Sequence, residues 1–249
     1  MLEKIEGIVL SEQAYGETSK IIQVLTNDYG IIGVMAKGAK KVKSSLRNVT
    51  GKLSYGYFHL HYKKDKLSNL VSVDIIDSFK NIRKDIKLIS YATFLLDLSG
   101  QVMKHNPNPF VFSILTSALK KINDNFDPLV VMNIVELKYL NLLGVMPILD
   151  CCSNCGETTN IVTLSNIKGG YVCNNCRTTE KIVSEKTLKL VRGLYYVDIS
   201  KITKLELEEE TKLELNNFLD DYYETYTGLY LKSKQFLKEL NKVVEDGKI

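Results

Sequence analysis

The chain has 249 residues, of which 45% are hydrophobic and 25% charged, the balance of a globular protein long enough to bury a core without disulfides. No run approaches the roughly 18 apolar residues of a membrane span, and the N-terminal string MLEKIEGIVL carries acids inside its apolar run, so a cytoplasmic location with reduced thiols is expected. The net charge is only +4, but residues 36–66 alone carry +8, so basic charge is concentrated in one N-terminal module.

In chain order, residues 1–80 read as strands. Ile5–Leu10 is a short apolar run. Lys20–Thr26 and Ile31–Ala36 follow, separated by the turn Asn27-Asp28-Tyr29-Gly30. Tyr55–Tyr62 alternates Phe58, Leu60 and Tyr62 with Tyr57, His59 and His61, a period of two with one face buried and one wet. Asn69–Ile76 is the fifth run. Five short strands with glycine-bearing turns and no helix between them predict a small antiparallel barrel of the OB type, a common scaffold for oligonucleotides.

From residue 81 the pattern turns helical. Ile86–Val102 places Leu88, Ala92, Leu95 and Leu96 on one stripe, and Asn106-Pro107-Asn108-Pro109 ends it. Pro109–Asn123 is a second helix. A third starts at Asp127-Pro128, where Asp caps free N–H groups and Pro suits the first helical position, and stops at Gly144. Ser184 or Glu185 opens a helix to about Tyr196, and Lys212–Tyr223 and Gly228–Val244 complete the set. The expected fold is therefore α+β: an OB-type nucleic-acid-binding domain at 1–80, and a helical domain at 81–249 with a cysteine module inserted at 150–180.

All five cysteines fall within residues 151–176. Cys152-x2-Cys155-x17-Cys173-x2-Cys176 has the spacing of a four-cysteine zinc ribbon, two knuckles that each aim two thiolates at one ion. Disulfides do not suit a reduced compartment, a redox C-x-x-C occurs once at a strand-to-helix turn, and a catalytic zinc keeps an open position that four thiolates close. The reading is a structural Zn2+, with Cys151 either spare or in place of Cys152. No Walker A pattern, dinucleotide fingerprint or H-E-x-x-H occurs, and the three histidines (His59, His61 and His105) suggest no reaction class. The chain is expected to catalyse nothing.

Several strings along the chain resemble the RecO family of bacterial recombination mediators and DNA-repair proteins. They are Glu6-Gly7-Ile8-Val9-Leu10, Tyr15-Gly16-Glu17, Thr26 with Tyr29-Gly30, Ala36-Lys37-Gly38-Ala39-Lys40-Lys41 with Ser44 and Arg47, Leu142-Leu143-Gly144 with Pro147 and the cysteine knuckle, and Leu231-Lys232-Ser233-Lys234-Gln235-Phe236-Leu237. The resemblance implies an OB barrel, a helical body and a zinc module that is not the working part. It further implies binding of single- and double-stranded DNA, strand annealing, partnership with RecR, contact with the C-terminal tail of single-stranded DNA-binding protein, help in loading a recombinase on coated strands, and work at the nucleoid.

The expected nucleic-acid site is the loop after the third strand. Lys37, Lys40, Lys41 and Lys43 offer point charges to phosphates, and Arg47 forks onto a phosphate or stacks on a base. Tyr55 and Tyr57 are expected on the wet face of the next strand, to stack unpaired bases. Lys232, Lys234 and Lys238 form a second basic stripe, either an extension of the path or a solvated face. Without the resemblance, a zinc-ribbon protein of transcription or translation that binds RNA or polymerase fits the residues equally well.

Overall fold

The structure is a computed structural model that describes residues 2–245. Two compact units are distinguished: one comprises the chain up to Leu119 together with the segment from Leu231 onward, the other Lys120–Tyr230.

The first unit holds five strands, β1 (Leu2–Tyr15), β2 (Ser19–Thr26), β3 (Gly30–Ala36), β4 (Tyr55–His61) and β5 (Ser68–Asp77). They close in the order β1-β2-β3-β5-β4, the OB-type barrel expected from the alternation. Closure depends on β1, which pairs with β4 from Leu2 to Ile8 and with β2 from Gly7 to Tyr15. The ring is completed by a short parallel contact, Val34 opposite Ser68 and Met35 opposite Asn69. Ile5, Val9, Ile22, Val24, Val34, Phe58 and Leu60 fill the interior, each fully buried side chain contributing about 1.5–3 kcal/mol. β1 is longer than its apolar run because Ser11–Tyr15, which carries no hydrophobic alternation, still pairs with β2.

A β-bulge between Val9 and Ser11 shifts the register of β1 against β2. Before it, Ile5 and Val9 point into the core. After it, Glu12 lies opposite core Ile22, so Glu12 and Ala14 share the strand face of Ile22, both exposed at the open end of the barrel, and Ser11, Gln13 and Tyr15 take the other face. One extra residue re-aims the whole upper half of the strand.

The same unit contains α1 (Ile86–His105), most of α2 (Phe110–Asn123) and α6 (Lys232–Glu245). Asp85 caps α1 by accepting from the amides of Lys87 and Leu88 at 2.7 and 3.2 Å. α6 lies against α1: Lys234 Nζ stands 4.7 Å over the Phe94 ring, and Asn241 donates to the Tyr91 hydroxyl. Part of the basic stripe on α6 is therefore spent on packing, while Lys232 and Lys238 are exposed.

The second unit is built on α3 (Pro128–Leu142), α4 (Glu185–Tyr196) and α5 (Glu209–Tyr226). Asp127 caps α3 as its sequence position requires, accepting from Leu129 N at 2.9 Å, and also meets Lys212 of α5 at 2.6 Å. α3 ends at Gly144, φ +75°, with Gly144 N donating to Asn141 O and Val145 N to Leu140 O, a Schellman closure. Between α3 and α4 lies the hairpin β6 (Ile161–Ser165) and β7 (Gly170–Cys173). Among the described residues, no helix is long and apolar enough to cross a membrane.

The hairpin is docked by backbone. Ile148 N donates to Gly169 O and Tyr171 N to Ile148 O. A Cβ on Gly170, φ +149°, would stand 2.2 Å from Ile148 O. Gly170→Ala is expected to destabilise this unit by about 3 kcal/mol, read as a lower urea midpoint by circular dichroism. An unchanged midpoint would refute the close approach.

Candidate nucleic-acid interface and metal centre

The segment between β3 and β4, residues 37–54, is a chain of turns rather than a helix or strand. Its apolar side chains Ala39, Leu46 and Val49 join the barrel core. Its backbone is tied down locally by Lys41 N to Gly38 O, Ser44 N to Lys41 O and Arg47 N to Ser44 O, all between 3.0 and 3.2 Å. Further bonds fasten it to the β1–β2 turn: Lys40 N donates to Thr18 O at 2.8 Å, and Gly38 N to Ser19 Oγ at 3.2 Å. With the apolar residues turned in, Lys37, Lys40, Lys41, Lys43 and Arg47 all project into solvent. Among the described residues none of the five forms an ion pair, although Lys40 Nζ reaches Gly16 O at 3.5 Å. The structure thus gathers the five expected cations on one ordered loop.

The tyrosines divide. Tyr55 does not lie on a wet face: it is 4% exposed, its ring stacks on Phe79 at 6.0 Å and meets Phe112 edge-on at 6.3 Å, and its hydroxyl donates to Glu6. Burial and that carboxylate raise its pKa. It points outward from the barrel as expected, but a helical residue covers that end of β4, so no base reaches it. Tyr57 is half-buried on the outer face with Lys4 Nζ 4.2 Å over its ring. Its cross-strand neighbours are Glu6 and Asp74. Further along the same face His59 Nε2 meets Asp74 at 2.7 Å, and His61 is exposed.

Sequence reasoning missed Tyr15, which is 56% exposed and stands beside the turn to which the lysine loop is bonded. The bulge that turns it outward leaves no trace in composition.

In the second unit, the Sγ atoms of Cys152, Cys155, Cys173 and Cys176 all lie within 4.8 Å of one another, with Cys155 and Cys173 at 3.7 Å. Four thiolates at about 2.3 Å from a central ion stand about 3.8 Å apart, so the donor set fits a tetrahedral four-sulfur metal site. Cys152 rather than Cys151 belongs to the cluster. Burial opposes ionisation of the Cys152 thiol, but backbone N–H groups of Cys173, Asn154 and Cys155 outweigh it and bring its pKa down to about 6. The backbone bond at Glu157 favours the Cys155 thiolate, but side-chain hydrogen bonds to Cys176 and Cys152 outweigh it and raise that thiol, so the two sulfurs of this knuckle titrate as a pair. Cys152, Val172 and Cys173 form the module's own apolar cluster, with Ile161 and Cys176 packed against it. Three of the four clustered cysteines belong to that core.

A second network holds the outer knuckle. Lys168 Nζ donates to Cys176 O at 2.7 Å and pairs with Glu180 at 2.7 Å, and Glu180 also accepts from Thr178 N at 2.8 Å. The Lys168 ammonium holds the Glu180 carboxyl well below the usual carboxylate range. Because the folded value is depressed, this contribution is present above the unfolded carboxylate pKa of about 4.3 and is lost as pH falls toward the folded value. Glu180→Gln is expected to cost about 1.5–3 kcal/mol at pH 7, with the difference from the parent chain shrinking below about pH 4. Urea unfolding across pH measures this, and a constant difference at every pH would refute the ion pair.

The comparisons with known proteins agree along the whole chain. Residues 1–79 match the family described as recombination protein O N terminal, and residues 83–235 match recombination protein O C terminal. The DNA repair protein RecO of Bacillus subtilis (strain 168) is 39% identical over 247 residues, covering 98% of this chain and 96% of that protein. The RecO of Listeria monocytogenes serotype 4b (strain F2365) is 36% identical over 245 residues, covering 97% and 96%. With both halves matched and relatives of this identity aligned nearly end to end, the chain belongs to the RecO family of DNA repair proteins.

Proposed function

We propose that this chain is a non-catalytic DNA-binding mediator of recombinational repair. It anneals complementary strands and helps a recombinase load on single-stranded DNA coated by its binding protein. The observation that carries the reading is the lysine loop: five solvent-facing cations anchored on a closed OB-type barrel in a RecO-family chain. Point charges on an ordered loop contact phosphates without reading bases, which suits a protein that must act on any sequence. Lys37, Lys40, Lys41, Lys43 and Arg47 hold the backbone of single- or double-stranded DNA, and Tyr57 borders the same barrel. RecR and the tail of the coating protein are its protein partners, and its place of action is the cytoplasmic nucleoid.

The four-cysteine cluster holds a structural Zn2+ that closes the inserted module and takes no part in DNA contact. A closed four-thiolate site leaves no position for water or substrate.

Lys37→Glu with Lys40→Glu is expected to weaken DNA binding and to flatten the dependence of log affinity on log salt, since each phosphate left unneutralised lowers the slope by about 0.7–0.9. Unchanged affinity across a salt series, measured by fluorescence anisotropy, would overturn the loop assignment. Cys151→Ser is expected to keep its full zinc content by elemental analysis and Cys152→Ser to lose it; full retention in Cys152→Ser would remove Cys152 from the ligand set.

A further inference from the structure

The outer wall of the barrel above the β1 bulge is a small three-stranded grid. Gln13 lies opposite Ile21 and Ile21 opposite Met35 in one row, and Tyr15 lies opposite Ser19 in the row above. Tyr15 and Gln13 are exposed, and Ile21 and Met35 are half-buried. The top row is also where the lysine loop is fastened: Gly38 N donates to Ser19 Oγ, the residue opposite Tyr15, and Lys40 reaches the neighbouring Gly16 carbonyl. A 56% exposed aromatic ring is thus held on paired backbone directly beside unneutralised cations. Tyr57, the tyrosine visible from the strand pattern, is half-buried, with Glu6 and Asp74 across from it and Lys4 Nζ 4.2 Å over its ring, so its face is already covered.

From this juxtaposition we propose that Tyr15 is a base-stacking residue that gives the lysine loop a preference for unpaired strands. The inference rests on the loop being the phosphate site. Phosphates of one strand run over Lys37 and Lys40 while a base swings onto the Tyr15 ring, with the apolar surface of Ile21 and Met35 below it. A base within a duplex is already stacked and cannot make this contact without unpairing. A ring serves any base, since each offers a π-face, so the selection is for strandedness and not for sequence. The bulge after Val9 is what makes the site: in an unbroken strand Tyr15 would fall on the core face with Ile5 and Val9.

The chain contains no tryptophan, so Tyr15→Trp in the full-length protein gives a reporter at the proposed site. Its fluorescence is expected to be quenched by a single-stranded oligonucleotide and not by an abasic strand of equal length and charge. Tyr15→Leu is expected to weaken binding of the single strand by about tenfold, with duplex and abasic-strand affinity unchanged. The inference is overturned if the tryptophan is not quenched at saturation, or if Tyr15→Leu leaves single-strand affinity intact or weakens all three ligands equally. The Lys37→Glu, Lys40→Glu pair separates the two readings. If those changes abolish binding while Tyr15→Leu does not, the phosphate site stands and only the stacking role fails; if they leave binding intact, the underlying site itself is refuted.

Discussion

In a closed five-stranded ring every strand has two neighbours, and β1 meets its two with different halves of its length. Its first half pairs with β4 and its second half with β2. A single straight strand cannot keep one face to the core around that bend, and the bulge at Val9 and Ser11 resolves the conflict. Everything placed at the barrel's upper end follows from it. Glu12 takes the face of Ile22 and pairs with Lys20 at the barrel's open end, Tyr15 turns outward, and the β1–β2 turn is positioned to accept the amide of Lys40.

The two candidate sites are anchored by opposite means. The lysine loop borrows its stability from a core that already exists, dropping Ala39 and Leu46 into the barrel. The cysteine module's own cluster consists largely of its cysteines, while Leu164 and Tyr171 of its hairpin are buried and Tyr171 donates to Leu188 O of α4. Its order comes from the donor set, from the backbone bridge at Ile148 and Gly170, and from the Lys168–Glu180 pair. A short module stapled by sulfur fits the general rule that small folds need a substitute for buried area.

Much of this architecture was legible in the residues, because its signals are local. The alternation of Phe58 and Leu60, the Asp127-Pro128 cap and the C-x-x-C spacing each report geometry fixed within a few positions. The C-x2-C spacing selects Cys152 over its neighbour Cys151, and the folded knuckle agrees. What escaped was set by other elements. Tyr55 and Tyr57 share a strand face, and nothing in β4 says that Phe79 and Phe112 close over the first. β1 extends to Tyr15 through polar residues whose pairing, not their hydrophobicity, makes them a strand. α5 begins at Glu209, ahead of its apolar stripe, where acids favour a helix start through the backbone dipole.

The lysine loop divides its labour by residue: the positions that hold it are apolar or backbone, and the positions that carry charge touch almost nothing. Its cations are therefore nearly free of folding constraint. A lysine there can be added or removed without disturbing the barrel core. On the proposed reading, grip on a polyanion is adjustable one charge at a time while the scaffold beneath it is left unchanged.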